Sequence, residues 1–331
     1  MKKRRLGRTG IEVSELGLGG LFVSSYGAQY EDARRAICRA LELGVNYIDT
    51  APGYANSEEV LGRALDGTKQ PLVISTKLGG RPQPFLPKDK DGLRRSVEES
   101  LRLLKRDSVD ILMIHEPDRT GQYDWWTNRE TFDGPVMDVL ADLKRQGIIR
   151  YTGLGGTTAY ELPRIIRTGR FDVVLTAFNY SMLWREAEIE ILPAAVKQGM
   201  GIIIGSPLQQ GALARRYDDQ VNHGAPWLSL PRREQFKALY RLLDETGMSI
   251  AEMGLRFVIA NPAVHTVLTG ARSVGEVEEN AAAVERGPLP ADLIARINKI
   301  AAMVPFRPFE EPFGMGGCLA NPGQYGGLGS A

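Results

Sequence analysis

Four ionisable side chains stand where short apolar runs stop. Asp49 follows Val45–Ile48, and Tyr54 lies five residues further on, in the polar loop Asp49–Asn56. Lys77 follows the run LVIST at 72–76, and His115 follows VDILMI at 109–114. A phenol with an ordinary pKa of about 10 is a poor acid or base at neutral pH. A nearby ammonium stabilises the phenolate and lowers that value. A buried carboxylate keeps the ammonium charged and placed, and a histidine can hydrogen-bond the reacting oxygen and help relay a proton. The set reads as a general acid/base, Tyr54, beside a polarised C–O bond. No nucleophile–base pair and no metal-ligand cluster accompanies it, so no metal is expected. Hydride transfer is the matching reaction, and it requires a nicotinamide, since no side chain supplies hydride.

Each residue alone has a plainer reading. A lysine after a strand is usually solvated, a lone histidine at a strand end is usually structural, and Tyr54 could pack on its loop. Their joint occurrence at the ends of consecutive strands favours chemistry.

For the four to meet, their strands must lie side by side. Residues 1–14 read as a β-hairpin turning near Arg8–Gly10, and 15–20 as a strand ending in two glycines. Ala33, Ile37, Ala40 and Leu41 have helical spacing, predicting a helix over 31–44 closed by Gly44. Ser57 followed by Glu58 and Glu59 predicts a capped helix over 57–65. Further strands are expected at 45–48, 72–76, 109–114, 149–154, 172–176, 201–204 and 265–269. Helices are expected at 91–104, 134–146, 159–168, 187–198, 231–246 and 249–260, with a last one over 273–284. Strands separated by helices imply parallel crossovers, and eight such units fit a (β/α)8 TIM barrel. An open doubly wound sheet is the runner-up, but Gly17–Gly20 is not the G-x-G-x-x-G fingerprint. In a barrel the loops after the strands carry the chemistry. Residues 1–303 are expected to form one barrel domain, and the Pro- and Gly-rich 304–331 an extended tail.

The totals agree. A chain of 331 residues with 43% hydrophobic content supplies a full core. Lys and Arg number 41 against 40 Asp and Glu, so nothing points to nucleic acid or an anionic membrane. The opening MKKRR is not followed by the apolar run of a signal peptide, and no stretch is long and apolar enough to span a bilayer. Cys38, expected in a helix core, and Cys318 form no CxxC pair, so a reduced, cytoplasmic protein is expected. An oligomer is compatible with the sequence, which does not set its size.

The stretches DTAPGYANSEEVLGRAL (49–65), STK (75–77) and IHEPD (114–118) resemble the aldo-keto reductase superfamily. The resemblance runs from the N-terminal hairpin to about residue 284. It implies Tyr54 as acid/base, Lys77 and Asp49 tuning it, and His115 orienting substrate and assisting proton transfer. It also implies NAD(P)(H) bound extended, without a Rossmann fold, with Gly20, Leu21, Asp49, Gly156 and Asn179 near it. SPLQQGAL (206–213) is similar to the loop under the pyrophosphate, which assigns Ser206, Pro207, Leu208, Gly211 and Leu213 to the cofactor. GARSVGEVEEN (270–280) is similar to the clasp of the adenosine phosphate, which adds Gly270, Arg272, Glu276 and Asn280. A helix start there favours an anion. Arg272 suits a 2′-phosphate and points to NADP. Glu276 would repel that phosphate and accept from a 2′-OH, pointing to NAD. Both cofactors stay open.

The chain also departs from the superfamily's pattern. The usual Ser-Asn after the fifth strand is Gly155–Gly156, followed by Thr157–Thr158. The usual Gln ending the sixth strand is Ala177, with Asn179 two residues on, and the stacking Tyr is Gly205. Asn179, Tyr180 and Trp184 are candidate substitutes. The segment 171–195 resembles the branch of bacterial aldose and plant galactose dehydrogenases, which implies a sugar or another small carbonyl compound as substrate. Phe22, Tyr26, Trp125, Trp126 and Trp184 are candidate walls of its pocket, with Trp125 and Trp126 reading equally as packing or a subunit contact. The competing function is a dinucleotide-binding regulatory or scaffold subunit. The complete set of four favours the enzyme.

Overall fold

The computed structural model describes residues 1–226 and 228–305, so the expected tail lies outside the described residues from 306 onward. Strand β1 (Lys3–Arg5) pairs antiparallel with β2 (Glu12–Ser14), with Arg5 opposite Glu12, around a 3-10 turn at Gly7–Thr9. Eight further strands follow: β3 (Leu16–Gly19), β4 (Tyr47–Asp49), β5 (Val73–Leu78), β6 (Val109–His115), β7 (Ile149–Gly156), β8 (Val173–Ala177), β9 (Gly201–Gly205) and β10 (Thr266–Thr269). They close into a parallel barrel in chain order, with β10 pairing β3. The expected (β/α)8 barrel and its hairpin are both present.

The helices are α1 (Tyr30–Glu42), α2 (Ser57–Ala64), α3 (Lys90–Leu104), α4 (Pro135–Arg145), α5 (Glu161–Ile166), α6 (Ile191–Lys197), α7 (Asp218–His223), α8 (Leu230–Thr246), α9 (Ile250–Ile259), α10 (Val274–Glu285) and α11 (Ala291–Ala301). Helix α1 buries Ala33, Ala36, Ile37, Ala40 and Leu41 along one stripe, as its spacing requires. Gly44, at φ 86°, ends that turn in the left-handed region.

Two cores result. The outer one joins helix faces to the outward side of the strands, for example Ile37, Leu61, Leu93, Leu112 and Ile114. The inner one fills the barrel with Tyr47, Val73, Ile111, Met113, Val173, Leu175, Ile203 and Leu268, and Leu6 and Val13 of the hairpin region join it. The hairpin therefore plugs one end of the barrel. Arg8 donates its backbone N–H to Gly199 O just before β9, so the plug sits at the N-terminal end and leaves the C-terminal end for the site.

Several expectations need correction. The helix over 273–284 is not the last: α11 follows, with Leu293, Ile297 and Ala301 turned inward at helical spacing. Asp49 belongs to β4 itself. Ser57 is not the cap of α2; its hydroxyl donates to Gly20 O at 2.7 Å and pairs with Thr50 Oγ1 at 2.8 Å. That bond pins the loop after β3 to α2, and a Cβ at Gly20 would fall 2.6 Å from Ser57 Oγ. Helix 187–198 starts only at Ile191, after a 3-10 turn at Glu186–Glu188. Cys38 is half-buried. No helix among the described residues is long and apolar enough to cross a membrane.

Candidate active site

Alternate residues of a strand face alternate sides. Tyr47 on β4, Val73 on β5 and Ile111 and Met113 on β6 point into the barrel. Asp49, Lys77 and His115 therefore point inward as well, at the C-terminal rim. The register sets Asp49 opposite Ser75, Lys77 opposite Met113 and His115 opposite Gly155. Around the rest of that rim the inward positions are Gly155, Ala177 and Gly205. A methyl added at Gly155 would lie 3.4 Å from Lys77 Cε, and one at Gly205 would lie 3.4 Å from Ala177 Cβ. One arc of the mouth thus carries charge and rings, and the other carries almost no side chain.

Lys77 Nζ donates to Asp49 Oδ2 at 2.5 Å and to Thr50 O at 2.8 Å. It lies 4.8 Å from the centroid of the Tyr54 ring. The second carboxylate oxygen, Asp49 Oδ1, accepts from Ser75 Oγ at 2.7 Å, and Ser75 Oγ accepts from Tyr47 OH at 2.8 Å. The His115 ring meets Tyr54 edge-on, centroids 5.8 Å apart.

Burial pushes the Tyr54 phenol up; Lys77 pulls it down and Asp49 pushes it up again, with a net rise above the ordinary value. This corrects the expectation of a lowered value, because the ammonium is outweighed. Lys77 is penalised by burial, yet Asp49 and Tyr54 outweigh that and hold its ammonium above the usual lysine value. Burial, aided by Lys77, drops His115 to about 3, so its imidazole is neutral at physiological pH. Its Nδ1 is buried without a hydrogen-bond partner. The site offers a protonated phenol, a fixed cation beside it and a neutral imidazole at right angles.

Two acids of the IHEPD run, Glu116 and Asp118, stand beside its histidine. Glu116 is buried at φ 49°, and its Oε2 accepts from Thr157 Oγ1 at 2.6 Å. Burial first, and then Asp118, lifts its carboxyl to about 7. Asp118 Oδ2 accepts from the N–H groups of Thr157 and Thr158 and from Thr158 Oγ1. The two threonines are thus folded back onto these acids. Asn179 Nδ2 donates to Thr157 O and Thr176 Oγ1, tying the ends of β7 and β8 together. The open side of Gly156 faces Leu162 and Asp118, away from Lys77; Gly155 is the residue that faces the site.

The aromatic candidates are mostly placed elsewhere. Trp125 and Trp126 are buried, and their indole N–H groups donate to His115 O and Pro117 O, so they brace the loop behind the histidine. Tyr123, half-buried and 6.5 Å from the His115 ring, is the aromatic beside the site that sequence reading missed. Trp184 packs edge-on to Phe236 of α8 with the Arg232 guanidinium 4.4 Å from its ring. Tyr26 is exposed. Phe22 packs on Gly270, and the Arg272 guanidinium lies 4.9 Å from its ring centroid, which puts Phe22 with the expected cofactor clasp.

At that clasp Ser273 caps α10, accepting from Glu276 N, while Glu276 Oε2 accepts from Arg272 N at 2.7 Å. Asn280 is buried two turns on. After β9, Ser206, Gln209, Gln210 and Gly211 all take positive φ, so the chain curls tightly. Leu208 packs toward Gly254, and Pro207 and Leu213 are buried. Leu21 follows Gly20, whose N–H donates to Asp49 O. A separate hollow of about 450 Å³, lined by Tyr180, Arg185 and Phe257 among others, contains none of the four catalytic candidates. Among the described residues no group of three His, Cys, Asp or Glu is placed to hold a metal ion.

Comparison with known proteins bears on the family and the fold. The profile described as "Aldo/keto reductase family" matches residues 15–302. L-galactose dehydrogenase of Arabidopsis thaliana is 31% identical over 292 residues, covering 85% of this chain and 87% of that protein. A protein of the same plant named "Probable voltage-gated potassium channel subunit beta" is 29% identical, covering 93% and 99%. The holo form of aldo-keto reductase AKR11C1 from Bacillus halodurans superposes with a TM-score of 0.75 at 30% identity, covering 94% of this chain and all of that one.

Proposed function

The chain belongs to the aldo/keto reductase family, and on that premise we propose that it is a nicotinamide-dependent oxidoreductase with Tyr54 as its proton donor and acceptor. The observation that carries this reading is the line Tyr54–Lys77–Asp49 with His115 set across it. The substrate is a small carbonyl compound or the corresponding alcohol, with a sugar favoured by the likeness to L-galactose dehydrogenase.

The residues present fit a bound NAD(P)(H). The small arc of Gly155, Ala177 and Gly205 leaves room for a flat ring beside Lys77 and Tyr54. The curl at 206–211 has the positive-φ backbone of anion-binding nests. The start of α10 with Arg272 supplies a second anion site, and Phe22, following Gly20 and Leu21 after β3, packs against Gly270 and Arg272 beside it. When bound, the cofactor supplies or accepts the hydride.

In reduction, the Tyr54 hydroxyl donates its proton to the carbonyl oxygen as that oxygen gains charge. Lys77 stabilises the phenolate left behind, and Asp49 keeps Lys77 charged and in place. The neutral His115 hydrogen-bonds the same oxygen and fixes its approach; it does not act as an imidazolium donor. Oxidation runs these steps in reverse and needs the phenolate first. Glu276 and Arg272 place opposite charges at the adenosine end, so the choice between NAD and NADP rests on which of them faces the ribose.

The test is a panel of sugars and aldehydes with NAD(H) and NADP(H) in both directions, on the parent and on Tyr54→Phe. Loss of a positioned acid/base is expected to cost about 10²- to 10⁴-fold in rate, with NADH or NADPH fluorescence titrations unchanged. Full turnover by Tyr54→Phe would overturn the mechanism. The likeness to a channel subunit supports a second reading, a cofactor-binding regulatory barrel. Cofactor binding without turnover on any panel member favours it.

A further inference from the structure

Asp49 has two oxygens, and only one of them meets Lys77. The other accepts from Ser75 Oγ, which in turn accepts from Tyr47 OH. Tyr47 stands two residues before Asp49, and Ser75 two before Lys77, so all four face the barrel interior on adjacent strands, with Asp49 and Ser75 directly paired. Tyr47 and Ser75 are fully buried. Burial and the nearby Asp49 hold the Tyr47 phenol well above its ordinary value, so its hydroxyl keeps its proton and donates. The Ser75 hydrogen is thereby directed at Asp49, 2.7 Å away, since Ile48 O, its other acceptor among the described residues, is 3.5 Å away. The chain of donors runs one way, from the barrel core to the carboxylate.

We propose that Ser75, backed by Tyr47, is a positioning residue of the reaction: it occupies the carboxylate oxygen that Lys77 leaves, and so holds the ammonium against Tyr54. Without Ser75, Asp49 Oδ1 sits beside the apolar inner core with no donor. It must then turn toward Lys77 for its second bond, drawing Nζ from the phenol. The phenolate loses its cation and becomes harder to form. Oxidation, which needs the phenolate, suffers most near neutral pH and recovers at higher pH. The inference rests on Tyr54 being the acid/base.

The experiment compares pH–rate profiles for oxidation in the parent, Ser75→Ala, Ser75→Thr and the double variant Tyr47→Phe/Ser75→Ala, with NADH or NADPH titration and thermal melts alongside. Ser75→Ala is expected to move the alkaline-rising limb up by about one pH unit, a roughly tenfold loss of rate below it, with cofactor affinity unchanged. Ser75→Thr, which keeps the hydroxyl, is expected to restore the parent profile. The double variant leaves no stranded phenol donor. It is expected to keep more of the parent's thermal stability than Ser75→Ala while showing the same displaced limb. A profile superimposable on the parent's in both alanine-bearing variants would overturn the proposal, whatever the melts show. Turnover persisting in Tyr54→Phe would instead overturn the acid/base reading on which it stands, so the two failures are distinct.

Discussion

The Tyr54 and His115 rings meet at 83°, centroids 5.8 Å apart, one from the loop after β4 and the other from the end of β6. A phenol and an imidazole so crossed can both point a polar atom at one substrate oxygen, and their protonation states decide what each contributes. Tyr54 is raised above its ordinary value, so its acid form is populated below that value and lost as pH rises through it. His115, at about 3, is neutral across the working range. Reduction is therefore expected to show no limb near the ordinary histidine value of about 6.5, and oxidation to climb toward alkaline pH. His115→Gln is expected to lower the rate without reshaping the profile. A limb that vanishes in that variant would show a titrating histidine.

Glu116 supplies the one carboxyl of the IHEPD run lifted to about 7. A carboxyl raised on folding contributes stability that is fully present below its unfolded pKa and lost as pH rises through the folded one. The parent should lose stability between about 4.5 and about 7 from this group, and Glu116→Gln, which keeps an acceptor for Thr157, should not. The Tm of the variant minus that of the parent is expected to grow from pH 5 to pH 8.

Trp126 braces the loop behind His115 through a single indole bond to Pro117 O. Trp126→Phe removes that bond and little volume. It is expected to cost about 1 kcal/mol and lower Tm by about 2 °C, leaving KM unchanged. A raised KM with unaltered Tm would mean that the ring meets substrate after all.

Glu276 holds its charge at the start of α10 through its bond to Arg272 N. Glu276→Gln keeps an acceptor there and removes the charge. NADPH binding is expected to tighten about tenfold, or ~1.4 kcal/mol, with NADH little changed. Fluorescence titration reads both. Equal changes for the two cofactors would show that Glu276 does not face the ribose.

Much of this molecule is legible along the chain because its strands are short, apolar and end in polar residues. Reading strand ends alone brings Asp49, Lys77 and His115 to one rim, and the hairpin, the eight strands and most helices follow from period and glycine stops. What escaped depends on how side chains turn in the assembled fold. Trp125 and Trp126 look like pocket walls until the carbonyls of His115 and Pro117 are placed beside their indoles. Glu116 gains its raised carboxyl from burial and from Asp118 beside it, which its residue type does not announce. Ser57 reads as a cap, but the loop after β3 arrives close enough to take its hydroxyl. Helix α11 is the plainest omission, since Leu293 and Ile297 carry its period openly.

The bare arc of Gly155, Ala177 and Gly205 has a consequence for how such a protein can change. Reactivity and shape are written on opposite sides of one opening. Bulk introduced at Ala177 or Gly205 displaces no proton carrier but takes the room left for the cofactor's flat ring, so this arc stays small for as long as the chemistry persists. Gly155 is the hinge between the two: a side chain there leans on Lys77 and alters both at once.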